Sequence, residues 1–230
     1  EEQKKARSKA RTPIIPDEVL IPLSKFTKGY LDIADELLAL RDKLDAFVPT
    51  ANDANGQANQ KRKYLQSIAT EFDTLDDFNE ALLLLRDSCI FWLLLTTGMR
   101  IHEILGIKCG KYRPETRDEL TYYYIETVSQ KTHTGLAEWI APEIATQAID
   151  ILDRYSKPLQ TKLDSDLAQA KARQDHAEIH RLEEISDHIC LAKNSQEGNS
   201  IILLSGGTIT SKRLPNLCKQ IGSDWNLSAH

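Results

Sequence analysis

The chain has 230 residues, 41% of them hydrophobic and 27% charged. That is long enough to bury a core and ordinary for a globular protein. With 29 Lys and Arg against 34 Asp and Glu, the formal net charge is −5, which argues against a nucleic-acid partner unless the cations gather in one patch. The cysteines, Cys89, Cys109, Cys190 and Cys218, are far apart and form no C-x-x-C pair, so neither a zinc ribbon nor a dithiol redox motif is readable. Residues 1–11 are polar and basic, unlike a signal peptide. The most apolar stretch, 82–95, is broken by Arg86, Asp87 and Ser88 and falls short of a membrane span. These features predict a soluble cytoplasmic protein with reduced thiols and no membrane partner.

Residues 1–12 carry Lys4, Lys5, Arg7, Lys9 and Arg11 without an apolar stripe. They read as a basic arm, either a solvated tail or a DNA-contacting linker. From 17 to 48, apolar residues recur every three or four positions, through Val19, Leu23, Phe26, Tyr30, Ile33, Leu37, Leu40, Leu44 and Phe47. The spacing predicts an amphipathic helix that begins near Ile21 and holds Pro22 in its first turn. A loop over 49–56 and a short helix over 60–72 follow, with Tyr64, Leu65, Ile68 and Phe72 inward and Lys61, Arg62 and Lys63 outward.

Thr74 or Asp76 caps the next helix, which runs to Thr97. Its second half is apolar on every face, so it is the expected central helix, and Gly98 is its stop. A short helix over 101–107 starts beside Arg100. The stretch 108–117 reads as irregular. Two runs rich in β-formers, 120–128 and 137–141, flank the turn residues 132–135 and predict a β-hairpin. Pro142 opens a helix to about 155. Residues 157–193 read as a thin helical hairpin with one stripe at Leu159, Leu163, Leu167 and Ala170 and another at Ile179, Leu182, Ile185 and Ile189. A short extended segment at 201–204 and an amphipathic helix at 211–221 complete a mainly α fold with a small antiparallel β-sheet, an α+β class.

Three stretches can carry chemistry. In TGMRIHEIL (97–105), Arg100 and Glu103 share a helix face while Ile101, Ile104 and Leu105 pack inward. A guanidinium at a helix start can hold two oxygens of one phosphate, with Glu103 fixing its orientation; an ordinary surface Arg–Glu pair fits the same spacing. In SQKTHTG (129–135), Lys131 at a hairpin tip can protonate a leaving oxygen, although Lys, Thr and Gly also make ordinary turns. His230 in WNLSAH can be a site residue or a tail. His176 and His180 lie one helical turn apart with no third ligand readable, so a solvated face is expected and no metal or other cofactor.

Taken in order, T-G-x-R-x-x-E-I-L after an apolar helix, K-T-x-x-G in a hairpin, and W-I-A-P at a strand-to-helix junction resemble the catalytic domain of the tyrosine recombinase (phage integrase) family. The resemblance covers most of residues 11–230, with 13–230 as an incomplete catalytic domain and 157–193 as a helical insertion longer than the family's usual connection. It implies DNA strand cleavage and rejoining through a tyrosine linked to a 3′ phosphate, with self-association as tetramers on double-stranded DNA. By the same resemblance Arg100 is the first catalytic arginine, Glu103 its buttress, Lys131 the general acid for the 5′ oxygen, and His230 the histidine of the second box. Thr132, His133, Lys61, Arg62 and Lys63 are candidate DNA contacts on charge and position. The family's second arginine and its nucleophilic tyrosine would follow His230, so the chain as given is expected not to cleave DNA. A non-catalytic DNA-binding protein of this fold and a helical protein-interaction module fit the same residues.

Overall fold

The computed structural model describes residues 14–69, 71–129, 135–194, 200–225 and 227. The described fold is mainly helical with two small antiparallel sheets. At its centre is α4 (Leu75–Thr97), packed by α1 (Asp17–Asp32), α6 (Glu143–Arg173) and α9 (Leu214–Gln220). Its start is a full capping box: the Thr74 hydroxyl accepts from Asp77 N at 3.0 Å, and the Asp77 carboxylate accepts from Thr74 N at 3.0 Å. Its end is Gly98, at φ 68°, the left-handed cap that the sequence calls for.

The first long stripe divides. Helix α1 starts at Asp17, so Pro22 sits inside it, and α2 (Ala34–Ala46) follows a break at Ile33. Proline is tolerated at this point because the Glu18 carbonyl it leaves unbonded lies on the exposed side of α1. Ile33, expected in the stripe, is 42% exposed at the break. The next helix also starts earlier than its apolar residues suggest. Asp53 caps Gly56 N, so α3 runs Ala54–Ile68 instead of 60–72. Of its expected inward residues Leu65 is buried, but Ile68 is 37% exposed.

The stretch read as irregular contains a strand. β1 (Tyr112–Arg117), β2 (Leu120–Ser129) and β3 (Gly135–Ala141) form an antiparallel sheet in that order, with Tyr112 opposite Ile125 and Ser129 opposite Gly135. Asp118 and Glu119 join β1 to β2 with φ of 49° and 66°, the twist that a two-residue hairpin demands. Pro114 is acceptable because β1 is an edge strand. Arg113 lies 4.6 Å from the Tyr124 ring centroid and bonds Glu138 across the sheet at 2.9 Å.

The expected helical hairpin is an extension of one helix. α6 passes through Pro158 for 31 residues and ends at Gln174, in the left-handed region. α7 (His176–Ile185), capped by Asp175, returns along it. Ile189 therefore lies beyond α7 and belongs to the main core. β4 (Leu191–Asn194), which the sequence did not suggest, pairs with β5 (Ser200–Leu203). Leu163, Ala170, Leu182, Leu191 and Ile201 form a second, smaller core, while Leu23, Phe78, Leu85, Ile90, Ile104, Ile125 and Leu152 belong to the first.

The closing helical segment starts at Gly206, earlier than expected, with α8 (Gly206–Thr208), a π-helical turn (Ile209–Arg213) and α9. The wide turn carries Arg213, whose Nε donates to Asp87 Oδ2 at 2.6 Å. Arg86 holds the other oxygen of Asp87 through Nε and Nη2 at 3.0 and 2.8 Å. Asp87 is 1% exposed. Two guanidiniums offset the cost of burying that carboxylate and fasten the last helix to α4. No helix among the described residues is long and apolar enough to cross a membrane.

Candidate functional site

The site begins where α4 stops. A Cβ on Gly98 would meet nothing within 4 Å, so glycine is required there by its positive φ and not by crowding. Met99, 3% exposed, anchors the turn in the core. Arg100 is extended, with φ −76° and ψ 155°, and stands at the N-cap of α5 (Ile101–Leu105).

Glu103 bonds Arg100 twice. One carboxylate oxygen accepts from Arg100 N at 2.8 Å, and the other from Arg100 Nη1 at 3.3 Å. The Glu103 side chain is 0% exposed, while that of Arg100 is 44% exposed. His102 Nε2 lies 4.0 Å from the same carboxylate. A desolvated carboxylate is tolerated when it is paired and hydrogen-bonded, and the geometry then fixes its partner. The guanidinium is thus held at one corner, and among the described residues its other donors meet no hydrogen-bond partner, which leaves them to face an anion from solvent. α5 is five residues long and supplies little macrodipole. The attraction for an anion at Arg100 rests on the guanidinium itself.

Strand β2 is fastened to this turn. Thr127, 3% exposed, donates from its hydroxyl to the Glu103 carbonyl at 2.7 Å. Gly106 lets the two elements approach, since a Cβ there would come within 3.2 Å of Thr127 Oγ1. Ile107 and Cys109 are bonded to the segment before β4, through Ile189 N to Ile107 O at 3.1 Å and Cys109 N to Asp187 O at 2.6 Å. The exit of α5 is therefore clamped on both sides. Thr127 was not foreseen as part of the site. Its only sequence signal was its place in a β-rich run four residues before Lys131.

Of the residues expected to act, Arg100 and Glu103 come together as the spacing implies. Lys131, Thr132 and His133 fall in the connection from β2 to β3, and His230 at the chain end; all four lie outside the described residues. Lys61, Arg62 and Lys63 sit on α3, with Arg62 and Lys63 exposed, and no ion pair joins them to a described residue. His176 and His180 are exposed on α7. Among the described residues no group of three His, Cys, Asp or Glu is placed to hold a metal.

No protein-family model, curated protein or solved structure matches this chain.

Proposed function

We propose that this chain is catalytic-domain sequence of a tyrosine-type, site-specific DNA recombinase, with the fold of that family. The observation that carries the reading is the Arg100–Glu103 pair: a half-exposed guanidinium braced by a fully buried carboxylate just past the central helix. Such an arrangement suits a phosphodiester, whose attack builds charge on the non-bridging oxygens. In this reading Arg100 binds those oxygens and Glu103 keeps it aimed. Lys131 protonates the departing 5′ oxygen, and His230 adds to the charge stabilisation. Thr132, His133, Lys61, Arg62 and Lys63 contact the duplex backbone; among the described residues none forms an ion pair with the three α3 cations, and Arg62 and Lys63 are exposed, which supports this role. The attacking tyrosine and a second arginine follow His230 in the resemblance. The intact protein acts on double-stranded DNA as a self-associated assembly, in the cytoplasm at the nucleoid.

The test uses the product of the complete gene and a nicked duplex that traps cleavage. A covalent protein–DNA adduct is expected, lost on Arg100→Ala and retained in a variant of the exposed Glu119. DNA binding without an adduct would leave a non-catalytic DNA-binding protein. Failure to bind duplex DNA at low salt would sink the reading.

A protein-interaction module of the same fold is favoured by one observation. Val128 and Leu136 face each other across β2 and β3 at 52% and 74% exposure, with Ile140 at 63% farther along β3. Self-association on DNA uses the same kind of surface, so the adduct assay separates the two.

A further inference from the structure

The two cores meet along α6, and a cavity of about 410 Å³ opens between them, within the range of small-molecule sites, roughly 300–1,000 Å³. Leu82 and Leu83 from α4, Leu159 from α6 and Leu191 from β4 give it apolar walls. Its polar lining includes Arg86 and Tyr155, with Lys193 and Asp45 exposed at its mouth.

Arg86 is 7% exposed, and its Nε and Nη2 are both committed to Asp87. Its third nitrogen, Nη1, has no hydrogen-bond partner among the described residues. The Tyr155 hydroxyl has none either. Burial raises the Tyr155 phenol above its ordinary value, so it keeps its proton at neutral pH and can donate. Unlike the sealed and partnerless Ser88 Oγ and Trp92 Nε1, both donors keep access to solvent, so a ligand lying beside the four leucines can reach them.

We propose that this cavity binds a monoanionic carboxylate with an apolar body, its head accepting from Arg86 Nη1 and the Tyr155 hydroxyl and its tail lying on the leucines. A carboxylate has two oxygens for two donors. A phosphate dianion would bring more acceptors and charge than the site answers, since Asp87 already shares the Arg86 charge, Asp42 and two α6 carbonyls engage the Arg41 guanidinium that also lines the cavity, and Asp45 offsets Lys193 at the mouth. An amine would meet a guanidinium. The ligand touches α4 and α6 of the main core and Leu191 of the second core at once, so its binding bears on how the extension is held.

Calorimetric titration with octanoate, against 1-octanol and octylamine, tests the assignment. Saturable one-to-one binding of octanoate is expected, at least tenfold tighter than that of the alcohol, with no binding of the amine. Tyr155→Phe should weaken octanoate severalfold, and Leu83→Trp, which fills the cavity, should abolish binding while circular dichroism stays that of the parent. Should Leu83→Trp fail to fold, Tyr155→Phe decides alone. Equal affinity for octanoate and 1-octanol, undiminished binding by folded Tyr155→Phe, or no octanoate binding into the millimolar range overturns the proposal.

Discussion

Arg41 Nη1 on α2 donates to the Tyr155 carbonyl on α6 at 2.8 Å, and Arg41 Nη2 reaches the neighbouring Arg154 carbonyl at 3.1 Å. The cause lies at Pro158, which has no N–H to bond the carbonyl four residues before it and whose ring pushes that carbonyl aside. A guanidinium from another helix fills the gap. Asp42 accepts from the same guanidinium at 2.7 Å and keeps it in place. This is why α6 continues where the sequence suggests a stop.

The first prediction is therefore one of coupling. Arg41→Ala should destabilise the protein by about 1–3 kcal/mol, because it removes two hydrogen bonds to α6, one of them to the Arg154 carbonyl that Pro158 leaves without its helical donor. In a Pro158→Ala background, where residue 158 regains its N–H, the same change should cost about 1 kcal/mol less. Urea denaturation of the four proteins measures the cycle. Strict additivity would mean that Arg41 does not serve the Pro158 gap.

At the candidate site, Glu103→Ala should cost about 2–4 kcal/mol, since it removes the cap on Arg100 N and empties a fully buried position. Arg100→Lys keeps a cation beside the carboxylate and should cost about 1 kcal/mol or less. Under the recombinase reading, Arg100→Lys should still lose most strand cleavage, because one ammonium cannot make the bidentate contact. Thermal melts and the adduct assay, run on the same variants, give the two readouts.

Thr127→Val keeps the shape of the side chain and deletes the bond to the Glu103 carbonyl. About 1–2 kcal/mol should be lost. Amide exchange should quicken at the joint between β2 and α5 while α7 is unchanged. Uniform quickening across the molecule would assign Thr127 to global stability alone.

Burial pushes the Cys190 thiol up from 9.0 to about 12, against a smaller opposing effect of Arg86; burial, helped by Asp153, does the same for Cys109. A raised folded value means that the native state holds protons the unfolded chain has given up. Stability is therefore fully present below about pH 9 and is lost as pH climbs from there toward 12. For the buried Cys190 the slope approaches about 1.4 kcal/mol per pH unit in that window. Denaturation midpoints between pH 8 and pH 10.5 check it. Cys190→Ala should flatten the decline.

Periodicity and punctuation located the central helix, the Thr74 cap, the Gly98 stop and the β2–β3 hairpin, because each depends on residues adjacent in the chain. β1 was not legible: its residues are polar and Pro-bearing, and its turn uses Asp118 and Glu119, where Asn and Gly are the usual signal. The Arg100–Glu103 pair was legible from its spacing of three. The burial of Glu103 was not, since it depends on packing that no local pattern encodes. Pro158 misled because its compensation comes from Arg41, more than a hundred residues away. The Asp87 network was hidden in the same way: Arg86 and Asp87 interrupt an apolar run, and the partner that completes the cluster, Arg213, arrives from the last helix.

A single helix runs through both cores, and that fixes how force travels in the molecule. With 31 residues α6 is roughly 46 Å long, a beam with its inner half clamped against α4 and its outer half cantilevered under α7 and the β4–β5 ribbon. The weak section of such a beam is the proline turn, and Arg41 splints it. A load placed on the outer core is thus carried to the root of the beam instead of being absorbed midway. Cutting the Arg41 splint would turn a lever into a hinge.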